Sequence, residues 1–322
     1  MSDETKVTLI STVLNAADHL PDFLACIRAQ ERAPDEVVIV DGGSTDGSLS
    51  LLREAEDITL VEAPGANIAR GRNVALGHAT HDVIAVADAD CAYGPAWLAE
   101  LLRPIEAGAD VSMGWYRPIV GSLLDASVTG HLPLDAAELD AATFLPSARS
   151  VAYRRDAIEA VGGYPEWLAI GEDMWVDLRW RERGFDLRLA PGAVAGWRPR
   201  PALRDTWKQY FRYARGDAQA GMHADRHALR FVAYTGAVFA LSSSRTWLKV
   251  LVAVGAAASV HRQVRRTWAR LDRARDKAIA TILVPGVVAV TDVAKMAGYA
   301  AGTFDRLSGR AGPASRSADQ SS

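Results

Sequence analysis

Short apolar runs alternate with amphipathic stretches through the first hundred residues. Val7–Leu14, Glu36–Val40, Ile58–Glu62 and Val83–Ala87 read as strands, and His19–Gln30 and Ile68–His78 as helices. A further helix is predicted to begin at Ser44-Thr45-Asp46, with Ser44 or Thr45 as its N-cap. Strands apolar on both faces, separated by amphipathic helices, predict an α/β fold with a mostly parallel sheet flanked by helices. In such sheets ligands bind beyond the carboxyl ends of the strands. That rule selects Asn15, Asp41–Asp46 and Asp88–Asp90.

The pattern continues with strand-like VSMGW and SVAYR, a Gly162-Gly163 turn, and helices over about Glu172–Arg183 and Leu203–Gly216. It then changes character. Phe231–Ser244, Val250–Val260 and Ala278–Thr291 carry no charge, and each is shorter than the roughly 20 apolar residues of a spanning helix. A helix bridging the first two would bring Arg245 and Lys249 near an interface by snorkelling. Seven basic residues crowd His261–Lys277, as in a cytoplasmic juxtamembrane segment. This reading divides the chain into a domain over 1–200, a helical region with membrane-associated segments over 201–305, and a disordered tail over 306–322.

With 322 residues, 49% of them hydrophobic, the chain is neither disordered nor a small binding module. Cys26 and Cys91 cannot form a disulfide framework, and no CxxC pair suggests structural zinc. The start, MSDETKVTLI, lacks a basic stretch followed by an apolar one, so the catalytic part is expected in the cytoplasm. Charge is divided unevenly. Residues 1–197 carry 15 Lys and Arg against 31 Asp and Glu, whereas 198–277 carry 17 against 5. A basic segment of this kind meets an anionic surface. Its interleaved apolar runs suit membrane lipids better than a nucleic-acid groove, so no nucleic-acid partner is expected.

Five stretches carry candidate chemistry. Asp88-Ala89-Asp90 places two carboxylates straight after a buried strand, where Mg2+ or Mn2+ beside a diphosphate would meet them; a solvated turn is the plain alternative. Asp41-Gly42-Gly43-Ser44-Thr45-Asp46 joins a tight turn to free N–H groups, with Asp41 able to accept from a base imide or a ribose hydroxyl. Arg70-Gly71-Arg72-Asn73 opens a helix and offers an arginine to a nucleotide or its phosphate. Gly171-Glu172-Asp173 places two acids at a helix start, suited either to the helix dipole or to taking a proton from an attacking hydroxyl. Gln209 and Arg212 share one face of an amphipathic helix, as packing or as a pyrophosphate clamp.

In this order, the Thr12–Asn15 strand end, VDGGSTDGS, RGRN, DAD, VGGY, GED and QYFRY resemble the family 2 glycosyltransferases of the GT-A fold. The resemblance covers about residues 5–216. It implies a nucleotide-sugar donor (a UDP- or GDP-sugar), a divalent cation, and inverting transfer to an acceptor hydroxyl. It implies nucleobase contacts from Asp41, supported by Thr12, Asn15 and Arg72. Asp88 would face the ribose or the metal, and Asp90 would ligate the metal. Asp173 would be the general base, with Glu172 beside it. Gln209, Arg212 and Tyr213 match the pattern that caps the diphosphate in membrane-bound members. Two positions depart from the family: Gly42 replaces a second acid, and Tyr213 replaces a tryptophan. The expected partners are a lipid-linked or saccharide acceptor and membrane lipids, in cell-envelope, polysaccharide or glycolipid synthesis, with the enzyme at the cell membrane. The rival from another class is a membrane-anchored protein that binds nucleotide sugar without transfer, and the intact GED and DAD stretches speak against it.

Overall fold

The structure, a computed structural model, describes residues 5–200 and 202–310. The chain divides into two units. The first comprises the described residues up to Arg117 together with Asp135–Arg198. The second comprises Pro118–Leu134 and the described residues from Pro199 onward.

In the first unit the order is β1 (Val7–Val13), α1 (Leu20–Arg28), β2 (Glu36–Asp41), α2 (Ser48–Arg53), β3 (Thr59–Glu62), α3 (Ile68–His78), β4 (Val83–Val86), β5 (Cys91–Tyr93), α4 (Trp97–Glu106) and β6 (Val111–Pro118). After α5 (Leu123–Val128), which belongs to the second unit, come β7 (Val151–Arg154), α6 (Arg155–Ala160), α7 (Glu172–Glu182) and β8 (Leu187–Trp197). One eight-stranded sheet runs β3-β2-β1-β4-β7-β6-β8-β5. The half expected from the alternation, β3-β2-β1-β4, is parallel. The other half adds antiparallel β4–β7, β6–β7 and β5–β8 pairings.

Alternation along the central strands explains why their sequences are apolar throughout. Ile10, Val38, Val40, Ile84 and Val86 pack into one core cluster with Ala69 and Ala75 of α3 and Val176 and Trp180 of α7. Leu9, Ile39 and Ala85 fall on the opposite face and are equally buried. Both faces are therefore covered, and the polar groups gather at the strand ends.

The helix expected at Ser44–Asp46 starts later, at Ser48. The polar side chains before it are engaged elsewhere. Ser44 Oγ accepts from the Asn15 N–H, and Asp46 accepts from the Ala17 N–H and the Ser48 N–H and hydroxyl. These residues fasten the β1 loop to the β2 loop instead of capping α2.

The second unit contains α5, α8 (Leu203–Ala220), α9 (Ala224–Ser242), α10 (Thr246–Ala269) and α11 (Ala274–Leu307). No single helix bridges the first two uncharged runs, because the chain breaks at Ser243–Arg245. Helix α11 also carries the chain through Arg306 and Leu307, where the tail was expected to begin; residues 311–322 lie outside the described residues. Its buried residues Ala280, Val284, Val287, Thr291, Ala294, Gly298, Gly302 and Asp305 recur every three or four positions and form one stripe. Along that stripe α11 packs tightly on α8. A Cβ at Gly298 would fall on the Phe211 carbonyl, and one at Gly302 would fall on the Arg215 carbonyl and within 2.9 Å of Ala218 Cβ. Asp305 accepts from Arg215 Nε at 2.6 Å and from Gln219 Nε2 at 2.9 Å. The end of α10 clasps the 118–134 segment: Arg270 donates to the Thr129, Leu132 and Pro133 carbonyls and Thr267 to that of Ala126.

Leucine at Gly298 or Gly302 should lower the unfolding free energy by about 1–3 kcal/mol each through overpacking. Alanine at Gly286, which faces open space, should not lower it. Denaturant midpoints of the detergent-extracted chain measure both.

Candidate active site

The first unit gathers its acids where the parallel strands end. Asp41 closes β2 and is buried; its Oδ1 accepts from the Gly43 and Ser44 N–H groups at 2.8 and 2.9 Å. Its Oδ2 is buried with no hydrogen-bonding partner among the described residues. A buried carboxylate oxygen without a donor is costly, so this oxygen invites a ligand N–H or O–H. Across the loop, Asn15 adopts a left-handed conformation (φ 53°), which asparagine tolerates better than most residues. Its Oδ1 accepts from the Thr45 N–H at 2.9 Å. Thr12 stands at the end of β1 against α3, where a Cβ on Gly71 would come within 2.9 Å of Thr12 Cγ2. Glycine at 71 lets α3 approach the strand, and that approach delivers the next residue, Arg72, into the interior.

Arg72 is 3% exposed. One guanidinium nitrogen pairs with Glu172 Oε1, another donates to Asp88 Oδ1 at 3.2 Å, and the group lies over the Tyr164 ring. Burial opposes its charge, but Glu172 and Asp88 outweigh burial and hold it protonated. Its guanidinium ties the end of β4 to the start of α7. Glu172 is buried too. Desolvation, opposed by Arg72 and reinforced by Asp173, pushes its carboxyl up to about 7.

Asp88 is less enclosed than Arg72, with 27% of its side chain exposed, and its second oxygen faces Arg149 Nε at 4.0 Å. The Arg149 guanidinium lies over the rings of both Tyr116 and Trp197. The Tyr93 hydroxyl accepts from the Asp88 N–H at 2.9 Å and donates to the Arg149 carbonyl at 3.0 Å. Asp90 accepts from the Cys91 thiol at 3.5 Å. Among the described residues no group of three or more His, Cys, Asp or Glu could hold a metal. Asp88 and Asp90 therefore offer a pair of hard oxygen donors at a strand end, the donor number a Mg2+ or Mn2+ ion takes when phosphates and water complete its shell.

Helix α7 opens at Gly171, whose φ of +84° is accessible to few residues besides glycine. It presents Asp173 half-buried at the positive end of the helix. Asp173 Oδ1 accepts from the Met174 N–H at 2.8 Å and Oδ2 from the Ala148 N–H at 3.3 Å. One turn on, Asp177 is buried and desolvation raises its carboxyl well above the ordinary range.

Two asparagines hold the preceding turn in place. Asn73 donates to the Tyr164 carbonyl and accepts from its N–H, each at 2.9 Å, while Asn67 caps α3 and donates to the Glu166 carbonyl at 2.7 Å. The structure thus brings Arg72, Asp88, Glu172 and Asp173 into one neighbourhood and places Thr12, Asn15 and Asp41 around the adjoining loops. Gln209 and Arg212 lie on α8 of the second unit, where Gln209 donates to the Tyr213 hydroxyl at 2.8 Å. Sequence reading did not single out Asn67, Tyr93, Arg149 or Asp177. Arg149 lies in a loop without helical or strand periodicity, and Asp177 reads as an ordinary helical acid.

Arg72→Met leaves Glu172 buried without its cation and should cost about 3–5 kcal/mol. Pairing it with Glu172→Leu should restore most of that loss, as denaturant midpoints of the three variants will show. A carboxyl whose pKa rises from 4.5 unfolded to about 7 folded keeps its proton in the native state after the unfolded chain has lost it. The unfolding free energy should therefore fall as pH rises from about 4.5 to about 7. Glu172→Gln should remove that component of the slope.

Residues 8–162 match the family model described as Glycosyl transferase family 2. Glycosyltransferase AglE of Haloferax volcanii is 26% identical over 244 residues, which span 70% of this chain and 77% of that protein. The O-antigen chain rhamnosyltransferase RfbN of Salmonella typhimurium is 23% identical over 222 residues, 64% of this chain and 70% of its own. The solved structure of mannosyltransferase PcManGT from Pyrobaculum calidifontis, in complex with GDP-Man and Mn2+, shares the fold. It aligns with a TM-score of 0.58 and 20% identity over 95% of this chain and 88% of that one. Motif order, sheet topology and these likenesses agree: the chain is a glycosyltransferase of the GT-A fold that carries a family 2 glycosyltransferase domain over residues 8–162.

Proposed function

We propose that the chain moves a sugar from a nucleoside diphosphate to an acceptor hydroxyl, with inversion at the anomeric carbon, on the cytoplasmic side of the cell membrane. The observation that carries this reading is the unpartnered buried Oδ2 of Asp41, set in the loop cluster beside the Asp88–Asp90 strand end. A nucleobase imide or a ribose hydroxyl supplies the missing donor, with Thr12 and Asn15 shaping the same loops. The solved mannosyltransferase of like fold binds GDP-Man and Mn2+, which supports a nucleotide-sugar donor and a divalent cation here.

Asp88 and Asp90 would hold the cation, Mg2+ or Mn2+. When bound, it neutralises charge on the diphosphate. Asp173 is the general base: it takes the acceptor proton while the acceptor oxygen bonds to the anomeric carbon and the bond to the diphosphate breaks. The two N–H groups that bind its oxygens fix its aim. Arg72 and Glu172 act through Asp88 and α7 as positioning residues. Gln209 and Arg212 cap the diphosphate, and Arg212 meets the charge that grows on it as it leaves. The acceptor is lipid-linked or a saccharide, in cell-envelope, polysaccharide or glycolipid synthesis. Residues 1–200 form the catalytic part and 201–305 the membrane-associated part.

A donor screen on detergent-extracted protein, following release of nucleoside diphosphate with Mn2+ or Mg2+ and then EDTA, should give metal-dependent release from one donor. Asp173→Asn should lower transfer by about 10²–10⁴-fold with donor binding nearly unchanged. Sustained turnover in that variant removes Asp173 from the mechanism, and turnover indifferent to EDTA removes the cation.

A further inference from the structure

We infer that the α9–α10 hairpin, and not the longer α11, is the element immersed in the bilayer. The inference rests on the membrane reading above and names the part of the second unit that acts on it. From Phe231 to Val260 only Ala240 is buried, and only Arg245 and Lys249 are charged. The exposed side chains leave α9 in every direction: at 100° per residue, Leu229, Val232, Val238, Phe239 and Leu241 surround its axis. Phe239 is 74% exposed and Val232 69%. On α10, Trp247, Val250, Leu251 and Val254 are exposed, and the small residues Gly255–Ser259 that follow are exposed too.

A helix lying along a membrane surface has a charged face turned to water. Phe231–Ser244 has none, so no orientation on the surface satisfies it, and water around it would expose a large contiguous apolar area. Hydrocarbon around its exposed side chains does satisfy it, with Tyr234 turned to Asp292 of α11.

Helix α11 has the opposite pattern. An 18-residue stretch of it with a mean hydropathy of 1.7 marks it, by length and composition, as a candidate span. Yet its buried stripe runs from Ala280 to Asp305, held against α8 by Gly298 and Gly302. One face of it serves protein contacts, with 28% of its most apolar stretch buried, and α11 is the strut on which the hairpin is mounted. Charge at the hairpin base agrees. Arg226 precedes the apolar arm of α9, and Arg262 and Arg265 follow that of α10. All three are exposed at the end where both arms leave the unit, placed for anionic headgroups.

The test floats the full chain with vesicles of phosphatidylethanolamine and phosphatidylglycerol in a density gradient at high salt. Nucleoside diphosphate release is measured on every variant to confirm folding. Aspartate replaces exposed side chains only, in the double variant Phe239→Asp/Val254→Asp and in Ile282→Asp of α11. The expected result is flotation of the unaltered chain and of Ile282→Asp, with flotation lost in the double variant. Loss in Ile282→Asp with retention in the double variant makes α11 the anchor and overturns this inference while leaving the membrane reading intact. An unaltered chain that stays in the dense fraction, as a monomer or as a dimer sealing the hairpins together, overturns both.

Discussion

The first unit depends on one buried cation. A guanidinium withdrawn from water at Arg72 cannot shed its proton, so the fold must bring acids to it. Asp88 comes from a strand end 16 residues away and Glu172 from a helix start 100 residues away. Meeting both fixes the distance between β4 and α7, and hence between the Asp88–Asp90 pair and Asp173. The aromatic face of Tyr164 and the Arg149–Asp88 approach extend the same alternation of charge. The energy of such a cluster lies in its completeness, since each member is tolerable only because its neighbours are present.

Burial also separates the acids by role. Glu172 is shut against Arg72 and driven toward its neutral form. Asp173, its neighbour in sequence, stays half-exposed and takes N–H donors at both oxygens. Successive positions at a helix start point about 100° apart, so one acid enters the core while the next remains at the rim. Adjacent residues of like chemistry thus end in opposite environments.

Much of this was legible in the sequence. Four strands, the α3 helix and the acids at strand ends follow from periodicity, and helix α3 spans Ile68–His78 as expected. What could not be read is what depends on distant partners. Asn67 and Asn73 look like surface polar residues until the 163–166 turn folds onto them from more than 90 residues away. Nothing local reveals that Arg72 has Asp88 and Glu172 as partners. Ser44 and Thr45 resemble helix caps because capping and loop bracing use the same side chains. The three uncharged runs look alike in sequence; only packing separates that of α11, which buries a stripe of residues, from that of α9, which buries Ala240 alone.

The second unit is assembled from two separate pieces of chain, and this bears on how the protein is made. Residues 118–134 leave the ribosome in the middle of the sheet-forming sequence, yet the Thr267 and Arg270 groups that hold them are synthesised long afterward. The excursion has to remain unpaired while β7, α6, α7 and β8 are completed, and it finds its place only when the end of α10 emerges. Cutting the gene after residue 198 would therefore yield a first unit with a permanently orphaned loop. Any attempt to express that unit alone has to remove or redesign 118–134 as well.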